Sequence, residues 1–142
     1  MTQDHTIRLA YINTLLDGGY TRLADKTTNP TEGYIVGGVT EPTTMPEDKM
    51  NWDFRPSQND TSSQINHYAQ FKELWQKYDL QLDDYTSNLY KAGMGVGTWV
   101  HEGKIYFDLV QHMYNLDVAT DIAKERGEIA VYDCANQKDI LL

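Results

Sequence analysis

Gly97-Thr98-Trp99-Val100-His101-Glu102-Gly103-Lys104-Ile105-Tyr106-Phe107-Asp108 is the stretch on which the fold turns. β-Branched and aromatic residues flank Glu102-Gly103 on both sides, and Gly103 can take the positive φ that a tight hairpin turn needs. The spacing predicts antiparallel strands over 96–100 and 104–110, with Ile105, Phe107 and Leu109 alternating onto one face.

Upstream, Ile65, Tyr68, Phe71, Leu74, Trp75 and Tyr78 recur at spacings of three and four. That is the stripe of an amphipathic helix over 62–78, with Ser62-Ser63 available to cap it. Leu82, Tyr85, Leu89 and Tyr90 predict a second helix, stopped by Gly93. Downstream, Asn115 caps a short helix bearing Ala119, Ile122 and Ala123, and Gly127 closes it. Residues 129–132 read as a strand, 135–137 as a turn and 140–142 as a returning edge strand. Near the start, Ile7, Ala10, Tyr11, Thr14 and Leu15 lie at helical spacing before Gly18-Gly19. Residues 20–31 read as loop, with a turn at Asn29-Pro30, and Tyr34-Ile35-Val36 with Val39 as a short strand interrupted by Gly37-Gly38. This order predicts an α+β fold, a mainly antiparallel sheet covered by helices. At 142 residues the chain fits a single domain with its own core.

Residues 40–60 hold Pro42, Pro46 and Pro56 beside Met45, Met50, Trp52 and Phe54. A pure linker would not carry such apolar bulk. The reading is a long extended arm outside helix and sheet, anchored through Trp52 and Phe54 on its own domain or on a second copy. The second version makes the protein a homo-oligomer.

Net charge is −9, with 9 acids against 5 bases in the first 71 residues and 12 against 7 in the last 71. Such diffuse acidity argues against broad nucleic-acid binding and against anionic membranes. It permits a basic protein partner or mimicry of nucleic acid, and it also suits solubility alone. Cys134 is the single cysteine, so a disulfide framework is excluded and a reducing compartment is expected. Residues 1–6 have neither a basic n-region nor an apolar run, so no signal peptide is expected, and no apolar run reaches membrane-spanning length.

Gly93-Met94-Gly95-Val96-Gly97 has a helix before it and a strand after it, the reverse of a dinucleotide-binding turn. Helix termination and chain reversal explain it better, and no cofactor is expected. His5, His67, His101 and His112 form no H-x-x-x-H pair. The hairpin could bring His101 and His112 together with Asp108 as metal ligands; solvated histidines at strand ends are the plainer reading. Asp108 and Asp133 end facing strands and could form a carboxylate pair for acid–base work, with turn capping as the simpler role. Cys134 beside Asp133 reads as a structural thiol of raised pKa. Ten tyrosines and three tryptophans are many for this length. Trp52, Phe54, Tyr85, Tyr90, Trp99 and Tyr114 are not all easily buried, and they are the candidates for a protein-binding surface.

Gly97-Thr98-Trp99, Glu102-Gly103, Tyr106-Phe107-Asp108-Leu109, the helix from Ala119 to Arg126, and Ala130-Val131-Tyr132-Asp133 follow one another in a recognisable order. They resemble a family of small acidic proteins encoded mainly by bacteriophages and prophages. That family's pattern runs Gly-x-Trp, an acidic turn with Gly, x-x-Tyr-x-Asp-Val, a helix and Ala-Ile-x-Asp. Gly18-Gly19-Tyr20-Thr21 and the stretch from Pro30 to Val36 extend the likeness; Leu109 replaces the family's Val, and residues 40–60 lie outside it. The resemblance implies a phage accessory protein of the host cytoplasm or the phage particle, with no reaction attached. The expectation is a non-enzymatic protein that binds a host or phage protein and inhibits a host defence or regulatory factor. The alternatives are a small hydrolase or nucleotide-handling protein using Asp108, Asp133 and a histidine, and a virion-associated structural protein.

Overall fold

A computed structural model describes residues 3–47, 61–86 and 93–142. Helix α1 (Gln3–Asp17) leads into β1 (Gly19–Leu23), followed by β2 (Tyr34–Val36), β3 (Thr43–Pro46) and α2 (Thr61–Thr86). The hairpin β4 (Met94–His101) and β5 (Lys104–Met113) comes next, then α3 (Leu116–Glu125), β6 (Ala130–Asp133) and β7 (Lys138–Leu141). Every strand pairing is antiparallel, in the order β1-β4-β5-β2-β6-β7, and the fold is α+β. Strand β3 also pairs with β5, end to end with β2 along one edge.

The hairpin forms as its residues require. His101 pairs with Lys104, and Glu102 and Gly103 between them both have positive φ, 50° and 78°. Two left-handed residues are the mark of a type I′ turn, whose twist matches that of the strands. Ile105, Phe107 and Leu109 are fully buried. They join Ile7, Ala10, Tyr11 and Leu15 of α1 and Phe71, Trp75, Tyr78 and Leu82 of α2 in the main core. The register carries Val36, opposite Gln111, onto the same face, where Val36 and Val131 pack with Ala119 and Ala123 of α3. All three helices therefore cover one face. The other face carries Trp99, Tyr106, Asp108 and His112, and among the described residues no helix packs on it.

Three expectations are corrected. Residues 19–23 are strand rather than loop, paired with β4 from Gly19↔Trp99 to Leu23↔Gly95. Buried Arg22 hid the alternation: its guanidinium is ion-paired with Asp79 of α2 and lies over the Trp75 ring. Gly95 serves this pairing, since a Cβ there would stand 2.6 Å from the Arg22 carbonyl oxygen. The two helices expected over 62–90 are one through Thr86, because Tyr78 and Leu82 continue the buried stripe with no breaker between them; Leu74 sits only at the core's margin.

The arm is sheet at 43–46, with Met45 buried against Ile105. Pro46 is tolerated there because the Glu47 N–H donates to the Gly103 carbonyl. Ladder alternation then turns position 46 outward, where a missing N–H costs nothing. Trp52 and Phe54, and with them the anchoring of the arm, lie outside the described residues. The alternative of a metal site at the strand-end histidines has no geometry to support it among the described residues. His101 is at the hairpin turn and His112 pairs with Ile35 at the far end of β5, about 26 Å away at strand rise. Among the described residues no three of His, Cys, Asp and Glu gather as metal ligands, and no helix is long and apolar enough to cross a membrane.

Candidate functional site

Of the six aromatic candidates, only Trp99 and Tyr114 have side chains among the described residues, and these two stand at opposite ends of β5. Tyr90 lies outside the described residues, and so does the side chain of Tyr85 in the last turn of α2. Trp99 is half-buried and stacked on Tyr106, centroids 5.0 Å apart. Tyr114 follows the opposite end of β5 and is 74% exposed.

Tyr114 stands at a groove of about 660 Å³. One wall is the loop after β1, with Asp25, Thr27, Pro30 and Glu32; the other is α3, with Val118 and Ile122. The end of β5 closes it with Gln111, His112 and Met113. Asn115 holds the α3 wall in place, its side chain accepting from the Val118 N–H at 3.0 Å. The loop wall is tied down twice. The Asn29 side chain accepts from the Thr21 N–H at 2.9 Å, and His112 Nε2–H donates to the Glu32 carbonyl at 2.6 Å. The Tyr114 ring meets His112 edge-on at 4.9 Å. This concave surface, with an exposed aromatic, apolar wall residues and a few polar groups, is the candidate binding site.

Asp108 and Asp133 are not a pair. Asp133 adjoins Tyr34, two strands from β5 and five residues along it, so about 19 Å away, and on the opposite face. It caps the β6–β7 turn, accepting from the N–H groups of Ala135 and Asn136 and from Asn136 Nδ2 at 2.7 Å. Those bonds, led by the Asn136 side chain, hold its carboxyl below the usual carboxylate range.

Asp108 is 1% exposed. One oxygen accepts from the Gly38 N–H at 2.8 Å, and the other has no hydrogen-bond partner among the described residues. A Cβ on Gly37 would lie 2.6 Å from both Asp108 Oδ2 and Glu128 Oε1, so the two carboxyls converge where only glycine fits. Burial pushes the Asp108 carboxyl up to about 7, with the Glu128 charge adding to the rise; the Gly38 N–H and Arg126 oppose it. Arg126 is itself held between the Gly37 carbonyl at 3.3 Å and Gln111 Oε1 at 2.8 Å. With Asp108 closed from water, the cluster ties β5 to the chain at 37–38.

The remaining candidates are structural too. His67 is buried, with Nε2–H on the Pro46 carbonyl at 2.9 Å and Nδ1 accepting from the Tyr11 hydroxyl at 2.7 Å. Cys134 is buried, and desolvation followed by the Asp133 charge raises its thiol to about 11. Sequence reasoning missed Asp25, Pro30, Glu32, Val118 and Ile122 as parts of one groove. Only Val118 and Ile122, four apart beyond an N-cap, left a local signal. Comparison of the chain with protein families, with curated proteins and with solved structures gives no match.

Proposed function

We propose that this is a non-enzymatic, phage-encoded accessory protein of the host cytoplasm that binds a host or phage protein and obstructs a host defence or regulatory factor. The observation that carries the binding reading is Tyr114, 74% exposed beside a groove walled by Val118 and Ile122. Exposed aromatics at concave sites are the usual anchors of protein partners. The resemblance of the 97–133 stretch supports the phage assignment. The hydrolase reading loses its support with the separation of Asp108 from Asp133.

The test is affinity purification from infected cells with the wild-type protein and with Tyr114→Ala, read by mass spectrometry. A single partner that co-purifies with the wild type and is depleted at least tenfold with Tyr114→Ala is expected. A partner retained equally by both would move binding away from the groove, and repeated copies in purified particles would favour the virion-structural alternative.

A further inference from the structure

Resting on the protein-binding reading, we infer that the groove takes a short cationic segment of its partner, in which an apolar residue is flanked by Arg or Lys. The charge of the lining points there. Asp25 and Glu32 stand on the loop wall, and among the described residues no Lys or Arg lines the groove. Asp117 and Asp121, exposed on α3, flank Val118 and Ile122. His112 has committed its Nε2–H to the Glu32 carbonyl.

The groove's apolar and aromatic parts complement this charge. Met113 and Ile122 are only partly buried and Val118 is exposed, which leaves them open to an apolar anchor. The open ring of Tyr114 offers a face to a guanidinium or ammonium group. Asp25 accepts from the Thr27 N–H at 2.9 Å, and the Thr27 hydroxyl and N–H hold its carboxyl below the ordinary range. The groove's volume is that of a site for a few side chains rather than for a folded surface. The chain's net charge of −9 steers a basic segment toward it.

A random dodecapeptide display selection on the full chain tests this, followed by titration of the enriched peptides as labelled synthetic probes. The expected winners carry two or more Arg or Lys around a Leu, Met or aromatic residue, and bind more weakly as salt rises. Asp25→Asn with Glu32→Gln should weaken them about tenfold while keeping the Asp25 side-chain acceptor for Thr27. Tyr114→Ala and, independently, Val118→Ser should weaken them as well, with melting curves showing that each variant is folded. Neutral or acidic winners that still need Tyr114 would overturn the cationic preference and leave the groove reading standing. No enrichment, or winners indifferent to both Tyr114→Ala and Val118→Ser, would overturn both.

Discussion

Two hydrophobic clusters share one face of the sheet, and they hold it with unequal force. Under α1 and α2, fifteen described residues form the larger cluster, six of them aromatic, with Phe71 meeting Tyr11 at 5.1 Å and Phe107 at 4.9 Å. Under α3 the cluster is Val36, Ala119, Ala123 and Val131. The smaller cluster lies under the elements that build the candidate groove and the partners of Asp108. A protein that must hold its sheet while adapting to a partner places its binding elements at the less stable end of the range. The contrast therefore predicts a rigid β3-β4-β5 platform and a looser α3–β2–β6 flank.

The largest effect expected is at Phe71. Phe71→Ala should cost about 3–5 kcal/mol in denaturant melts, through the cavity it leaves among rings that cannot close over it. A loss under about 1 kcal/mol would mean that the large cluster does not dominate and would break the contrast.

Next comes Asp108, at the seam where the platform meets Gly38, Arg126 and Glu128 of the flank. Its folded-state pKa is raised from an ordinary 3.8 to about 7, so the folded state holds a proton that the unfolded chain has released. The stability this gives is fully present below about pH 4 and is lost as pH rises to 7, a change on the order of a few kcal/mol. Glu128, raised chiefly by its own burial, works in the same direction. Asp25 and Asp133, whose pKa values are lowered, contribute only below the ordinary carboxylate range and do not mask the trend. Melts between pH 4.5 and 8 should show the decline, and Asp108→Asn should flatten it. An unchanged slope in that variant would remove Asp108 from the seam.

The smallest of the three tests the flank itself. Val131→Ala should cost about 1–2 kcal/mol. It should speed amide exchange in β2, β6 and α3 while leaving the β4–β5 amides protected. Uniform acceleration across the sheet would merge the two clusters into one cooperative unit.

Legibility in the sequence followed the same divide. The hairpin, α1 and the α3 cap were readable because period and turn chemistry agree there: Phe107 alternates with Asp108, Ile7 recurs with Tyr11, and Asn115 precedes a helical run. Strand β1 was not readable, because Arg22 is buried by partners 57 and 53 residues away, Asp79 and Trp75, and no local pattern announces them. Strand β3 was hidden by Pro46, whose orientation depends on which edge of the ladder it faces. Tyr114 was identifiable as an exposed aromatic, but the groove beside it joins loop, strand and helix, and only the sheet register brings Glu32 next to His112. The surroundings of Asp108 have no local signal, since Glu128 and Arg126 reach it only once β2 lies between β5 and β6.

Cys134 turns this architecture into its own reporter. Its thiol is shut in at the end of β6 and held in the unreactive protonated form, pushed up to about 11. A thiol reagent in neutral buffer therefore reacts only as this corner of the molecule opens. One native atom keeps time for the flank, with no label to introduce, and a bound ligand that braces the flank would slow the clock.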